Sequence, residues 1–278
     1  MEVLSPDKIL DKVSDAYVIK ARSSTKKLIV LSFMAGVFIA LAASASTFAA
    51  YNLLGESKYL GLGKLIQGLT FTPGLVFVLI AGAELFTGNN LMVISLLDKK
   101  IQAKELLRAW IIVYLGNFIG SVFVAFMLYK SGQFESGGGE LGARIILLAN
   151  SKVHLGFSKG IILGIFCNIL VCLGVWMSFG SDSQVGKMLC AFFPVMLFVL
   201  SGFEHSIANM YYIPAGIFAK ALPDLATLTG LEANVLEALN WGSFLTGNLL
   251  PVTIGNIIGG GIFVGFCYWL AFRKKEIK

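Results

Sequence analysis

Two stretches of sequence decide the fold: Gly-Ala-Glu-Leu-Phe-Thr-Gly-Asn at residues 82–89, and Gly-Phe-Glu-His-Ser-Ile-Ala-Asn at residues 202–209. Their glycine, glutamate and asparagine coincide at an offset of 120 residues. A second match joins Gly-Asn-Phe-Ile-Gly at residues 116–120 to Gly-Asn-Ile-Ile-Gly at residues 255–259. Two matches in the same order indicate that the two halves of the chain are an internal repeat.

The composition places both halves in a membrane. Of the 278 residues, 56% are hydrophobic and 14% are charged, against about 25% charged in an ordinary soluble domain. The 12% of aromatic residues excludes a disordered chain. A spanning helix needs about 20 mainly apolar residues. The sequence predicts an all-α membrane protein with six transmembrane helices, in the runs 28–55, 65–97, 109–129, 160–181, 188–219 and 238–272.

Three spans in each half force the halves into opposite orientations. We therefore expect an inverted repeat of about residues 28–130 and 158–272, a plan that places binding sites near the midplane. The runs 65–97 and 188–219 are too long for one straight helix, and each has a glutamate in its middle. These features predict that helices 2 and 5 are broken there, because non-helical backbone at membrane depth must be buried in protein or line a cavity. A long tilted helix with a tolerated charge is the alternative.

The charges outside the spans predict the topology. Fifteen of the 22 lysines and arginines fall on the cytoplasmic side if both termini are cytoplasmic, as the positive-inside rule requires. We expect residues 1–27 to form a cytoplasmic amphipathic helix, on the membrane surface or on a neighbouring subunit, with Ser5 as its N-cap. Residues 28–272 then form the channel domain, and residues 273–278 form a cytoplasmic tail. A multi-pass protein of the inner cell membrane follows.

The two glutamates are the charges to explain first, since an ionised group at the bilayer centre costs a few kcal/mol and usually marks function. Glu84 and Glu204 both lie at a predicted break. A carboxylate can accept hydrogen bonds from amides that a helix break leaves free. We therefore expect both glutamates to brace the breaks.

His205 follows Glu204 directly and is a candidate pore residue, because imidazole can bind an anion or pass a proton near neutral pH. Thr87 lies on the first break and offers an uncharged hydroxyl to a small anion. Lys152, at the outer entrance of the fourth span, can attract anions. Further polar side chains lie on other spans, and each of them alone is typical of a contact between helices: Asn168, Asn209 and Asn256.

Several other kinds of site lack their sequence signature. The four cysteines have no metal-binding spacing, so we expect no metal site. No Walker loop or dinucleotide motif occurs, which argues against an ATP-driven pump and against a cofactor. No Gly-x-Ser-x-Gly nucleophile motif supports an enzyme, and we expect no catalytic residue. The net charge of +6 is explained by topology, so no nucleic acid partner is expected.

Three motifs resemble those of the formate/nitrite transporter family. Leu-Ile-Ala-Gly-Ala-Glu-Leu-Phe-Thr-Gly at residues 79–88 is similar to its first signature, and Gly-Ile-Phe-Cys-Asn-Ile-Leu-Val-Cys-Leu at residues 164–173 to its second. Residues 202–210 resemble the family's broken fifth helix. The resemblance implies an aquaporin-like fold of six spans, a homopentamer with one pore per subunit, and passage of small monovalent anions of weak acids without a cofactor.

The resemblance also implies roles for individual residues. His205 matches the central pore histidine, and Lys152 matches a lysine that biases the pore towards anions. Glu204, Asn168, Asn209 and Asn256 match polar residues near these two. The pore constrictions are matched by Leu85, Phe86, Val171, Phe71, Leu75 and Phe198. We add the hypothesis that His205 protonates the anion transiently while Thr87 positions it.

The substrate and some rival functions stay open. The continuation Thr-Gly-Asn at residues 87–89 resembles the hydrosulfide and nitrite branches, so we rank hydrosulfide first and nitrite or formate next. An aquaporin-like channel for small neutral solutes is the main alternative, although the chain has no Asn-Pro pair. An intramembrane enzyme lacks a nucleophile or metal pattern, and a receptor would need a soluble domain.

Overall fold

The computed structural model describes residues 4–273, in which all regular structure is helical. The helices are α1 (Pro6–Ala21), α2 (Thr25–Ala50), α3 (Ser57–Gly82), α4 (Gly88–Leu97), α5 (Ala103–Lys130), α6 (Glu140–Val153), α7 (Phe157–Phe179), α8 (Gln184–Leu200), α9 (Ser206–Ala219), α10 (Pro223–Leu228), α11 (Ala233–Ala238) and α12 (Trp241–Phe272). The predicted cytoplasmic tail lies outside the described residues, apart from Arg273.

Within residues 4–273, five helices are long and apolar enough to cross a membrane: α2, α3, α5, α7 and α12. Two shorter helices, α4 and α8, are also apolar. The predicted fifth span is not one continuous helix, because residues 188–219 are divided between α8 and α9. Residues 83–87 between α3 and α4, and residues 203–205 before α9, are not helical.

The N-terminal helix α1 packs on its own chain. Ser5 holds the N-cap position without a side-chain cap bond, and Ile9, Leu10, Val13 and Tyr17 are buried as the amphipathic pattern predicts. They are buried against α4, α7 and α12 of the same chain. The apolar face is therefore satisfied within one subunit.

Polar contacts hold α1 in place. Asp98, which follows α4, accepts hydrogen bonds from Ser14 Oγ at 2.5 Å and from Trp269 Nε1 at 2.7 Å. Arg273 pairs with the same aspartate and with Asp11 of α1, the latter at 2.7 Å. The two ends of the described chain thus meet at one buried carboxylate.

Glycines allow two equivalent pairs of helices to approach closely. Helix α2 packs against α5 in the first half, and α7 packs against α12 in the second half. A Cβ atom on Gly116 would overlap the Ser32 side chain, and one on Gly259 would overlap the Ile165 carbonyl. These close approaches need glycine, as small residues are what close packing of helices in membranes requires.

Gly120 provides a test of this packing. A Cβ atom there would overlap the Phe33 carbonyl oxygen and lie 3.1 Å from the amide nitrogen of Val37. We expect Gly120→Ala to destabilise the protein by about 1–3 kcal/mol, the usual cost of overpacking. The measurement is thermal unfolding in detergent. Gly61 on α3 is the matched control, since a Cβ atom there meets nothing within 4 Å; equal unfolding temperatures for Gly61→Ala and Gly120→Ala would contradict the packing argument.

Candidate functional site

Asn117 of α5 fixes the backbone of the non-helical stretch between α3 and α4. Its Oδ1 accepts the amide N–H of Phe86 at 2.9 Å. Its Nδ2 donates to the carbonyl oxygens of Ser32 at 2.8 Å and Glu84 at 2.9 Å. One buried amide therefore satisfies both a donor and an acceptor that the end of α3 leaves without helical partners.

Asn256 of α12 makes the same bonds at the stretch before α9. Its Oδ1 accepts the amide N–H of Ser206 at 2.9 Å, and its Nδ2 donates to the carbonyl oxygens of Gly164 at 2.8 Å and Glu204 at 3.0 Å. Asn117 and Asn256 are the asparagines of the two matched Gly-Asn motifs. The sequence repeat is thus reproduced in the hydrogen bonds, and Asn256 binds backbone where a substrate contact was expected.

The glutamates have different partners from those predicted. The carboxylate of Glu84 accepts from Lys20 Nζ at 3.1 Å and from Asn89 Nδ2 at 2.9 Å. Both partners are side chains, so the expected bracing by freed amides is wrong for the Glu84 carboxylate. The physical reason is that Asn117 already occupies the local backbone groups, which leaves the carboxylate free to pair with a lysine.

Glu204 repeats this arrangement with Lys152 and Asn209. Its carboxylate accepts from Lys152 Nζ at 2.7 Å and from Asn209 Nδ2 at 2.6 Å. The Glu204 carboxylate therefore also bonds two side chains where freed amides were expected. The two lysines hold equivalent positions, with Lys20 five residues before the first residue of α2 and Lys152 five residues before the first residue of α7.

His205 and Thr87 meet between the two halves. Thr87 Oγ1 lies 2.9 Å from His205 Nε2, and His205 Nδ1 accepts the amide N–H of Ala208 at 3.1 Å. Because Nδ1 accepts this bond, the proton of the neutral ring is on Nε2. The imidazole then donates to Thr87 Oγ1, and the threonine hydroxyl proton is available to another acceptor.

A narrow cavity of about 10 Å³ lies beside this pair. A space of that size is at the lower limit for a single water molecule. The aromatic ring of Phe198 is edge-on to that of Phe71 at 5.7 Å and stacks on the His205 ring at 5.7 Å. The cavity brings together six residues that the sequence singles out and two that it does not: Phe71, Leu75, Leu85, Val171, Phe198 and His205, with Ile39 and Val195.

Two larger cavities flank the narrow one. We call the first the Glu204 vestibule; it measures about 240 Å³ and includes Lys152, Asn209 and His205 in its lining. The second, the Glu84 vestibule, measures about 490 Å³ and includes Lys20 and Leu85 in its lining. Each vestibule therefore contains one lysine–glutamate pair.

Phe86, Asn168 and Thr87 are among the predicted site residues that do not line the narrow cavity. The Phe86 ring packs against Trp110 and Tyr114, with ring centroids 5.7 and 4.8 Å away. Asn168 donates to the carbonyl oxygens of Thr87 at 3.2 Å and of Asn256 at 2.7 Å. Phe86 and Asn168 therefore hold residues 83–87 in place, Phe86 through ring contacts with α5 and Asn168 through its bond to the Thr87 carbonyl. Neither residue lines the narrow cavity.

Sequence reasoning missed Lys20 and the bracing role of Asn117. A usable signal was present, because Glu84 and Asn89 have the same separation as Glu204 and Asn209. A second signal is the distance from each lysine to the first long helix of its half. Lys20 lies five residues before the start of α2, and Lys152 lies five residues before the start of α7. No group of His, Cys, Asp or Glu side chains suited to a metal ion occurs in residues 4–273.

The two non-helical stretches, the two vestibules and the narrow cavity that shares lining residues with both form the candidate site. A sequence model described as formate/nitrite transporter matches residues 7–270. The chain belongs to the formate/nitrite transporter family. It is therefore an integral membrane protein of a family whose named members are channels and transporters.

Several formate/nitrite transporters resemble the chain over most of its length. It is 37% identical to the formate channel FocA of Escherichia coli (strain K12) over 277 residues, which are 99% of this chain and 96% of FocA. It is 39% identical to the uncharacterized transporter YrhG of Bacillus subtilis (strain 168) over 280 residues, with 99% and 96% covered.

Two solved structures of formate/nitrite transporters have the same fold. A pentameric formate channel with formate bound gives a TM-score of 0.80 at 39% identity, and 90% of this chain and 98% of that chain are covered. An FNT family ion channel gives a TM-score of 0.81 at 27% identity, with 95% and 98% covered.

Proposed function

We propose that the chain forms a channel for small monovalent anions of weak acids, with formate as the first candidate. The observation that carries this proposal is the hydrogen bond between Thr87 and His205, beside a narrow cavity that shares lining residues with two vestibules, each of which contains a lysine–glutamate pair. Residues 87–89 resemble the hydrosulfide and nitrite branches. The names of the relatives favour formate instead, and we rank it first for that reason.

The vestibules and the constriction perform different steps. Positive charge in the vestibules lowers the cost of bringing an anion out of bulk water, and the constriction excludes its remaining hydration shell. An anion without water or partners in an apolar medium is heavily penalised. The Thr87 hydroxyl, whose oxygen is already bonded by His205, offers that anion one hydrogen-bond donor behind the His205 ring that lines the constriction.

The architecture that we propose is the full family plan. The pairs α3 with α4 and α8 with α9 count as broken second and fifth helices, which gives six spans in two inverted repeats at about residues 28–130 and 158–272. Five subunits assemble with one pore each in the inner cell membrane. Residues 1–27 and 273–278 lie in the cytoplasm, so the Glu84 vestibule, which α1 borders, opens on that side.

The geometry favours His205 as a neutral donor over His205 as a proton carrier. A second proton on the ring would have to reside on Nδ1, which accepts the Ala208 amide at 3.1 Å. Protonation would therefore break the N-terminal cap of α9. His205 acts by orienting the Thr87 hydroxyl.

The test of this role is formate flux of His205→Ala and His205→Phe across pH 5 to 8. We expect both variants to lose most of the flux while the pH profile of the remainder keeps the wild-type shape. A profile that flattens in both variants would instead assign the proton transfer to His205. Unchanged flux together with an unchanged profile would remove His205 from the mechanism.

The substrate is tested with purified protein in liposomes and a panel of formate, nitrite, hydrosulfide, acetate and chloride. We expect formate to be fastest among them, as the names of the relatives indicate. Water or glycerol flux without any anion flux would favour the aquaporin-like alternative.

A further inference from the structure

Three charged side chains line the Glu204 vestibule, and the opposite charges of two of them offset each other. Lys152 and Glu204 are paired at 2.7 Å, and both are largely buried. The third is Lys64 of α3, which also lines the vestibule. Within residues 4–273, Lys64 has no carboxylate within the 4.0 Å that defines an ion pair. The net positive charge of this vestibule therefore comes from Lys64.

Gln67 lies one helical turn after Lys64 and lines the same vestibule. Residues three apart on a helix are neighbours on one face. Gln67 is only 4% exposed, and its carbonyl oxygen accepts a bond from Ser46 Oγ at 3.1 Å. Its side-chain amide is free of hydrogen bonds to the other residues of the described chain. Gln67 lines the vestibule, so its amide can bond to an incoming polar ligand there.

The other vestibule has a lysine of the same kind. Lys187 lines the Glu84 vestibule, is half-buried, and likewise forms no ion pair within residues 4–273. Lys64 and Lys187 lie on α3 and α8, the helices that precede the two non-helical stretches. Each half of the chain thus has a lysine without an ion pair on the helix before its non-helical stretch. This recurrence argues that the charge of Lys64 is not an accident of the protein surface.

We propose that Lys64, together with the Gln67 amide, captures anions in the Glu204 vestibule, and that Lys152 mainly neutralises Glu204. This inference rests on the proposed function, because it assigns the attracting charge for the same anions. An unpaired charge in a cleft with apolar walls raises the local concentration of counter-ions. The ammonium of Lys64 supplies that attraction, and the Gln67 amide adds a hydrogen-bond donor for a carboxylate oxygen.

The test is the initial rate of formate entry into liposomes as a function of formate concentration, for the full-length wild type and Lys64→Met. At an ionic strength of about 0.02 M we expect the half-saturating concentration to rise about threefold, a modest effect on the scale of electrostatic focusing. In about 1 M impermeant salt, where the screening length falls to about 3 Å, the two curves should converge. Lys64→Arg should behave as the wild type does.

Lys58→Met is the matched control. Lys58 lies on the same helix, is exposed, and is already paired with Glu56 at 3.1 Å, so its removal should leave the curve unchanged. Equal half-saturation for Lys64→Met and the wild type at low ionic strength would overturn the inference, as would a difference that persists undiminished in high salt. If Lys64→Met fails to assemble, Lys64→Gln takes its place. Absence of formate entry in the wild type would overturn the proposed function itself.

Discussion

Thr87→Val should lower formate flux by about tenfold or more, the largest effect that we expect from a single change of similar volume. Valine removes the acceptor of the His205 Nε2 proton, which lies 2.9 Å from Thr87 Oγ1. It also removes the hydroxyl that is available to the anion. A hydrogen bond to a charged group contributes about 1.5–3 kcal/mol, and 1.4 kcal/mol corresponds to a tenfold change in rate. Initial rates in liposomes measure the effect.

Thr87→Ser is the control for the threonine prediction, because serine keeps the hydroxyl and loses only a methyl group. We expect it to retain most of the flux. The oligomeric state should be unchanged in Thr87→Val, since the hydroxyl makes no other bond among residues 4–273. The midpoint of thermal unfolding should fall modestly, because the buried Nε2–H of His205 loses its partner. Wild-type flux through Thr87→Val would show that the bond to His205 has no part in permeation.

Glu204→Ala should be the most destabilising change in the site. The side chains of Glu204 and Lys152 are 8% and 12% exposed, and their charges are 2.7 Å apart. Removing the carboxylate leaves the ammonium of Lys152 and the amide of Asn209 buried with lost partners. Breaking a buried pair costs about 3–5 kcal/mol. A lower midpoint of thermal unfolding, followed in detergent by circular dichroism, is the expected result.

The double variant Glu204→Ala with Lys152→Met separates lost pairing from lost packing. Replacing both members of a buried pair by apolar side chains is often close to neutral, so we expect much of the stability to return. Glu56→Ala is the surface control, because Glu56 and Lys58 form an exposed pair of a kind worth at most about 1 kcal/mol. A double variant less stable than Glu204→Ala would show that the side chains pack rather than pair.

The positions of the two non-helical stretches could be predicted from the sequence, and the partners of their side chains could not. A glutamate inside a long apolar run has few explanations, so the sites around Glu84 and Glu204 follow from hydropathy alone. The partners of Glu84 come from residues 64 positions earlier and five positions later. Hydropathy describes one segment at a time and contains no information about such pairing.

Asn117 shows the same limit. Its motif matches that of Asn256, which indicates equivalence, but a motif does not state whether an amide binds a substrate or a backbone. That distinction depends on where the freed carbonyl and amide groups point, and these directions are set by the packing of α5 and α12. Hydropathy also shows residues 188–219 as one apolar run, whereas the structure divides this run between the two short helices α8 and α9.

The bonds of Asn117 and Asn256 have a consequence for how selectivity can change. Both asparagines contact main-chain atoms at the two non-helical stretches, and main-chain atoms are the same whatever side chain they carry. The apolar residues facing the constriction, such as Leu85 and Val171, can therefore be exchanged while the path of the chain stays fixed. Redesign of the filter should begin with those side chains and leave the two asparagines untouched.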